Sequence, residues 1–383
     1  MITRRVLLRT GAASIVIAGL GGTWWLTTGP ARSAREPWRR ASTGLGDPRL
    51  DVLAYAILAP SPHNMQPWRV RLGDGPSFTV YCDPERLLPE TDPPNRQITI
   101  GFGCFLELCR QAAAESGFRA ITTYFPQGEP EGLLDSRPIA AVELVEDTSV
   151  RPDPLFSTVL DRRTNRLEFD TSRPVESAVL SQLEAATVPG VSVHTTVEEG
   201  LVEELKTLAA EAWSIEWSTS RTRGESIDVM RIGSAAVDQN PYGLSIDDRL
   251  TSTLGKLGLM TLESLDDTES MAYRESFAFY ERACRSASAF VWSTTAANTR
   301  NAQLDAGRAW VRVQLAANAA GLSFHPLSQA LQEFPEMAGH YRRAHDLLAK
   351  ESGETVQMLA RLGYGPAVGP SPRENLESKL VAV

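Results

Sequence analysis

Ser61, His63, Asn64 and Gln66 stand close together in the stretch Ala59-Pro60-Ser61-Pro62-His63-Asn64-Met65-Gln66-Pro67-Trp68. A hydroxyl, an imidazole and two carboxamides at this spacing can make several neutral hydrogen bonds to a planar heterocycle rich in nitrogen and carbonyl groups. The same residue types also suit an ordinary loop whose Asn and Gln bond their own backbone. A second group lies far away in the chain, in Asp161-Arg162-Arg163-Thr164-Asn165-Arg166. Three guanidiniums and a hydroxyl ahead of a helix suit a phosphate, because arginine offers forked, charge-assisted bonds. Standing alone, the arginine cluster reads more readily as a solvated face.

The elements around these groups follow from pattern. The apolar run Leu53 to Leu58 reads as a short helix over 51–58, ended by the prolines of the loop, with a strand resuming after Trp68. Arg69 to Arg71 and Phe78 to Cys82, separated by Gly73-Asp74-Gly75-Pro76, form a hairpin. Thr99 to Ser116 is a helix with Phe102, Phe105, Leu106, Cys109 and Ala113 on one face, ended by Gly117. Strands follow over Ile121 to Phe125 and Ala140 to Val145. Beyond a linker at 150–154, helices are expected over 174–186, 201–217, 277–286 and 299–320, with strands over 191–195, 287–294 and 355–363. Residues 35–50 read as a linker. Residues 218–270 are long, polar and glycine-spotted, and read as a partly helical insertion able to lie over a site as a lid.

The 383-residue chain is 42% hydrophobic and 22% charged, which is a globular composition, and its net charge of −9 argues against general nucleic-acid binding. The four cysteines form no Cys-x-x-Cys pair, so neither a disulfide framework nor a zinc site follows from them. Gly101-Phe102-Gly103 lacks the third glycine of a dinucleotide-binding turn, and Leu106 stands in its place. His340 and His345 are five apart, off the spacing of a helical metal pair, and His194 and His325 have no acidic partner nearby in sequence. No Gly-x-Ser-x-Gly elbow occurs, and no catalytic acid or nucleophile is assigned.

At the N-terminus, Thr3-Arg4-Arg5-Val6-Leu7-Leu8-Arg9 is a twin-arginine pattern with a weakly apolar stretch from Gly11 to Thr28 behind it. Residues 1–34 are therefore expected to be an export signal, cleaved near Ala31-Arg32-Ser33, or an uncleaved membrane anchor. Either places the protein in the periplasm or at the cell surface. That route carries folded proteins and suits one whose cofactor is inserted first.

Pro-Ser-x-x-Asn-x-Gln-Pro-Trp at Pro60, Ser61, Asn64, Gln66, Pro67 and Trp68 resembles the flavin-contacting loop of the nitroreductase family. The segment from Arg162 to Arg166 resembles that family's phosphate-holding stretch. Gly321-Leu322-Ser323-Phe324-His325-Pro326-Leu327-Ser328-Gln329 resembles its loop at the N5 edge of the flavin, and Pro370-Ser371-Pro372-Arg373 its C-terminal arm. The resemblance implies FMN as cofactor and an α+β fold of mixed or antiparallel sheets flanked by helices. It also implies a site of Pro60, Ser61, His63, Asn64, Gln66, Arg162, Arg163, Thr164, Arg166, Pro326, Leu327, Ser328, Gln329 and Arg373.

Family members are two-fold dimers in which one subunit supplies the loop and its partner the arginines. Here the loop comes first and the arginines later, so the resemblance implies two fused halves, 35–150 and 151–383, forming a pseudo-two-fold dimer that is complete as a monomer. A weak repeat that sets Gly101 against Gly307, with the helix ends Gly117 and Gly321, agrees with this. One FMN per chain is expected. The implied activity is reduction of FMN by NAD(P)H or another donor, and its reoxidation by a quinone, a nitro compound or another small aromatic acceptor. The exported Acg-like subgroup implies an alternative: a flavin-sequestering protein with a lid over its FMN and little turnover.

Overall fold

The computed structural model describes residues 31–381. The twin-arginine pattern and the apolar stretch behind it lie outside these residues. Among the described residues, no helix is long and apolar enough to cross a membrane.

The stretch expected to be a linker is ordered. A 3-10 turn at Ser33–Arg35 runs into helix α1 (Glu36–Arg40), with Pro37 in the first turn, where a missing N–H breaks no helical bond. Helix α2 (Pro48–Ala56) begins at Asp47, whose carboxylate accepts from the Arg49 N–H. The loop follows, then the expected hairpin, β1 (Trp68–Leu72) and β2 (Ser77–Cys82). The long helix α3 (Arg96–Glu115) is buried along almost its whole length. Its free N-terminal donors are met by Asp92, whose carboxylate accepts from the Gln97 and Ile98 N–H groups at 3.0 and 2.8 Å. Strands β3 (Phe118–Tyr124) and β4 (Ala140–Glu146) close the first half.

The second half opens with a 3-10 segment, Pro154–Asp161. Arg162 to Arg166 then lie in a loop well ahead of α4 (Ser177–Ala185), not directly before a helix as the sequence suggests. Strand β5 (Val191–Thr196) leads into α5 (Glu199–Ser218), α6 (Ser220–Asp228), β6 (Met230–Ile232), α7 (Ser234–Gln239), β7 (Leu244–Ile246), α8 (Arg249–Lys256), α9 (Leu262–Asp266) and α10 (Met271–Arg285). Then come β8 (Ala289–Thr295), α11 (Arg300–Ala319), β9 (Ser323–Pro326), α12 (Ala338–Leu348) and β10 (Thr355–Gly363).

The two larger sheets have one topology. The first is ordered β1-β2-β4-β3 and the second β5-β8-β10-β9, with every neighbouring pair antiparallel. In each half two strands precede a twenty-residue helix and two follow it. The halves meet along α3 and α11. A Cβ on Gly103 would stand 2.0 Å from the Leu304 carbonyl oxygen, and one on Gly307 would stand 1.9 Å from that of Ile100. Each glycine faces the carbonyl three residues before the other, the reciprocity of an isologous contact. Gly103, not Gly101, is thus the counterpart of Gly307; Gly101 instead lies under Ser61 and Pro62. Gly103 and Gly307 both stand fourteen residues ahead of Gly117 and Gly321, which follow the two helices in left-handed conformation at φ +80° and +71°.

The halves differ between their first two strands. A tight turn joins β1 to β2, whereas α5 to α10 intervene between β5 and β8. This insertion is wider than the polar stretch 218–270. It has its own core, in which Trp213 stacks on Trp217 and Phe277 and packs against Tyr280. It also carries a two-stranded parallel sheet, β6 with β7, too short to show a strand pattern in the sequence.

Candidate functional site

Arg162 and Arg373 are 3% and 2% exposed, and among the described residues neither forms an ion pair. Arg162 donates to Gln314 Oε1 at 3.1 Å and to the Leu58 carbonyl at 2.8 Å. Arg373 donates to the carbonyls of Leu58 and Ala59 at 3.0 Å each and to Asn64 Oδ1 at 2.6 Å. The Nε of each is buried with no partner. Arg163 is half-buried beside them. All three guanidiniums gather over the Trp38 ring, 5.1–5.5 Å from its centroid. Burial, and then the charge of Arg163, pull Arg162 down to about 10. Burial and both neighbouring arginines push Arg373 well below its ordinary value. Buried like charges without a counter-ion are costly. A dianion here would pair with the guanidiniums and occupy the two unpartnered Nε–H groups, so these residues fit a phosphate.

The loop beside them is held in strain. His63, Asn64 and Gln66 have φ of +46°, +56° and +51°, a region that non-glycine residues avoid at a cost of order 1–3 kcal/mol each. The insertion and the C-terminal arm hold them there. His63 Nε2 meets Ser226 Oγ at 3.0 Å. The Asn64 amide donates to the Gly243 and Pro372 carbonyls. Gln66 is fully buried; its amide donates to the Pro241 carbonyl at 2.9 Å, and its Oε1 accepts from the Glu374 N–H at 2.9 Å. Ser61 Oγ accepts from the Gln66 N–H at 3.0 Å. In this structure, then, both carboxamides brace the loop against the protein. Pro60 leads into the loop, and Thr164 Oγ1 accepts a long bond from Gln314 at 3.4 Å.

The third predicted segment forms the opposite wall. Pro326 ends β9. Leu327 is buried with its N–H on the Leu359 carbonyl at 2.8 Å, and the Ser328 carbonyl accepts from Gln97 at 3.5 Å. Gln329 donates to Tyr280 Oη at 3.0 Å. That hydroxyl meets His325 Nε2 at 3.2 Å, and Arg361 Nε donates to His325 Nδ1 at 3.0 Å. Arg166 is exposed, yet its charge lowers the proton affinity of His63, Tyr280 and His325 alike.

Sequence reading missed Trp38, Glu216, Ser226, Tyr280 and Arg361. Glu216 is 4% exposed and is hydrogen-bonded by Gln332 at 3.0 Å, and by Ser226 and Gln329, so it links the two walls. Burial pushes its carboxyl up to about 7. A carboxyl so raised stabilises the fold fully below its ordinary value of 4.5, and that stabilisation is lost as pH rises from there to about 7. Thermal melts of Glu216→Gln should therefore lose less stability than the parent between those pH values. Parallel curves would show that Glu216 does not titrate there. His63 acts with the opposite sign. Burial, then Arg166, depress it to about 4, so its contribution is lost as pH falls from 6.5 towards 4.

No protein-family model matches the chain. "Putative NAD(P)H nitroreductase Rv3131" of Mycobacterium tuberculosis is 26% identical over 340 residues, 85% of this chain and 88% of the relative. "Putative NAD(P)H nitroreductase acg" of the same organism is 33% identical over 119 residues, 31% of this chain and 34% of the relative. Among solved structures, a nitroreductase with bound FMN from Bacteroides fragilis aligns at 14% identity with a TM-score of 0.34, covering 60% of this chain and 98% of that one.

Proposed function

We propose that this chain, nitroreductase-like by relatives along most of its length, holds FMN and serves as an oxidoreductase. It would take hydride from NAD(P)H or another donor and pass it to a quinone, a nitro compound or a similar small aromatic acceptor. The observation that carries this reading is the buried pair Arg162 and Arg373, two guanidiniums with unpartnered Nε–H groups and, among the described residues, no carboxylate partner. Arg162, Arg163 and Arg373, with Thr164 beside them, would hold the phosphate. FMN, when bound, supplies the hydride-accepting and hydride-donating chemistry.

The protein's part is position and charge. The strained loop presents His63, kept neutral by burial and by Arg166, as a hydrogen-bonding partner to a ring. Gln329 and Tyr280 would form the facing wall, and the charge of Arg166 acts on His63 and Tyr280 alike. Asn64 and Gln66 fix the loop. Loop and arginines come from different halves of one chain, so the site needs no second copy.

The insertion favours a second reading. Its residues Ser226, Pro241 and Gly243 bond His63, Gln66 and Asn64 directly. A loop so covered suits a protein that keeps its flavin rather than turning it over. Anaerobic addition of NADPH to the flavin-loaded chain separates the two. Rapid bleaching of the flavin band is the expected result for the oxidoreductase, and a persistent band would support storage.

Export by the twin-arginine route belongs to the same proposal. A cut after Ser33 would remove Ala31, which is 1% exposed and donates its N–H to Asp247 at 2.8 Å. An uncleaved anchor keeps that bond.

A further inference from the structure

Trp38 covers the arginine cluster, and the segment that carries it is tied down from both sides. Arg35 forms a forked pair with Asp247, Nη1 to Oδ2 at 2.8 Å and Nη2 to Oδ1 at 3.0 Å. Its Nε donates to the Pro370 carbonyl at 2.7 Å. The Ala34 carbonyl accepts from the Arg373 N–H at 2.7 Å, and Trp38 Nε1 donates to the Ser371 carbonyl at 2.8 Å. Three stretches distant in sequence thus meet in one knot: 31–38, the middle of the insertion near Asp247, and the C-terminal arm at 370–373. Arg373 belongs both to this arm and to the proposed phosphate site.

We infer that Arg35 and Trp38 are cofactor-retaining residues, Trp38 as the roof over the phosphate end and the Arg35–Asp247 pair as the catch that keeps the roof shut. The inference rests on the FMN reading above. An anion between Arg162 and Arg373 lies behind the Trp38 ring and cannot leave while the ring sits over those guanidiniums. The ring stays in place because its indole N–H is fixed to the arm and its segment is fixed to the insertion. Asp247 is 7% exposed and Arg35 has 17% of its side chain exposed, so the pair is shielded from competing water and salt. Breaking it removes the charged tie to the insertion, leaving there the Ala34 N–H bond to Asp238 at 2.9 Å, without touching the guanidiniums.

The test is the rate of FMN release from the full chain, followed by the rise of flavin fluorescence on dilution. Arg35→Gln and Asp247→Asn should each speed release about tenfold or more, the effect of losing a charge-assisted fork. The double variant should be no faster than the faster single one, because both remove the same ion pair. Arg40→Gln, which breaks only the exposed pair with Glu377, should release at the parent's rate. Trp38→Leu should release fastest. Circular dichroism and melting of the flavin-free proteins show whether each variant is folded.

Parent-rate release from folded Arg35→Gln and Asp247→Asn would overturn the catch. Additive effects in the double variant would overturn it too, as they would mean general loosening. A parent chain that bound no FMN would remove the proposed function along with the clasp, whereas a parent that binds FMN beside unaffected variants would remove the clasp alone.

Discussion

The double variant Arg162→Met, Arg373→Met should lose at least about 100-fold in FMN affinity while keeping its fold. Both side chains are buried, neither has a carboxylate partner among the described residues, and burial with the charge of Arg163 makes each harder to keep protonated, Arg162 adding to that effect on Arg373. In the empty protein, methionine fills a similar volume and relieves the repulsion between two desolvated charges, which offsets the lost bonds to the Leu58 and Ala59 carbonyls. Melting of the flavin-free variant should therefore stay within a few degrees of the parent. The difference should appear when FMN is added. The parent gains stability from a ligand that binds only its folded state, and the variant does not. A variant that kept the parent's FMN-induced shift would show that the phosphate lies elsewhere.

The second large effect concerns the scaffold. Gly103→Ala or Gly307→Ala should destabilise the protein by at least about 3 kcal/mol. A Cβ at either position would lie 2.0 or 1.9 Å from a backbone carbonyl oxygen on the opposite helix, and backbone cannot swing aside as a flexible side chain can. The helices would have to separate, and that contact fixes how the two halves sit. Because Gly101 sits under Ser61 and Pro62 on the same helix, a shift of α3 would move the loop as well. Denaturant melts of the two glycine variants and of Gly132→Ala, where an added Cβ meets nothing within 4 Å, measure the effect. Equal stability of all three would contradict the crossing.

The two large sheets were legible because β1, β2, β4, β8 and β10 alternate or run apolar over several residues. Both central helices were legible because glycine stops them. The partnership of the strained loop with Arg162 and Arg373 was legible only through family resemblance, since nothing in residue spacing brings positions 60, 162 and 373 together. Trp38 went unread because α1 is short and follows a polar run, so a linker was the simpler expectation. The positive φ values of His63, Asn64 and Gln66 leave no mark in residue type beyond the tolerance of Asn for them. The carboxamides expected to face a ring are used instead to hold that backbone, a role fixed by Pro241, Gly243 and Glu374 from distant parts of the chain. The link through Glu216 needed the insertion to fold back over the loop, and a polar stretch does not reveal where it will dock.

The most direct measurement of the central claim is equilibrium binding of FMN and of riboflavin to the flavin-free parent chain, by quenching of flavin fluorescence. The two ligands share the ring and differ by the phosphate. If Arg162 and Arg373 hold that phosphate, FMN should bind at least about 100-fold more tightly than riboflavin. Equal affinities would contradict the account.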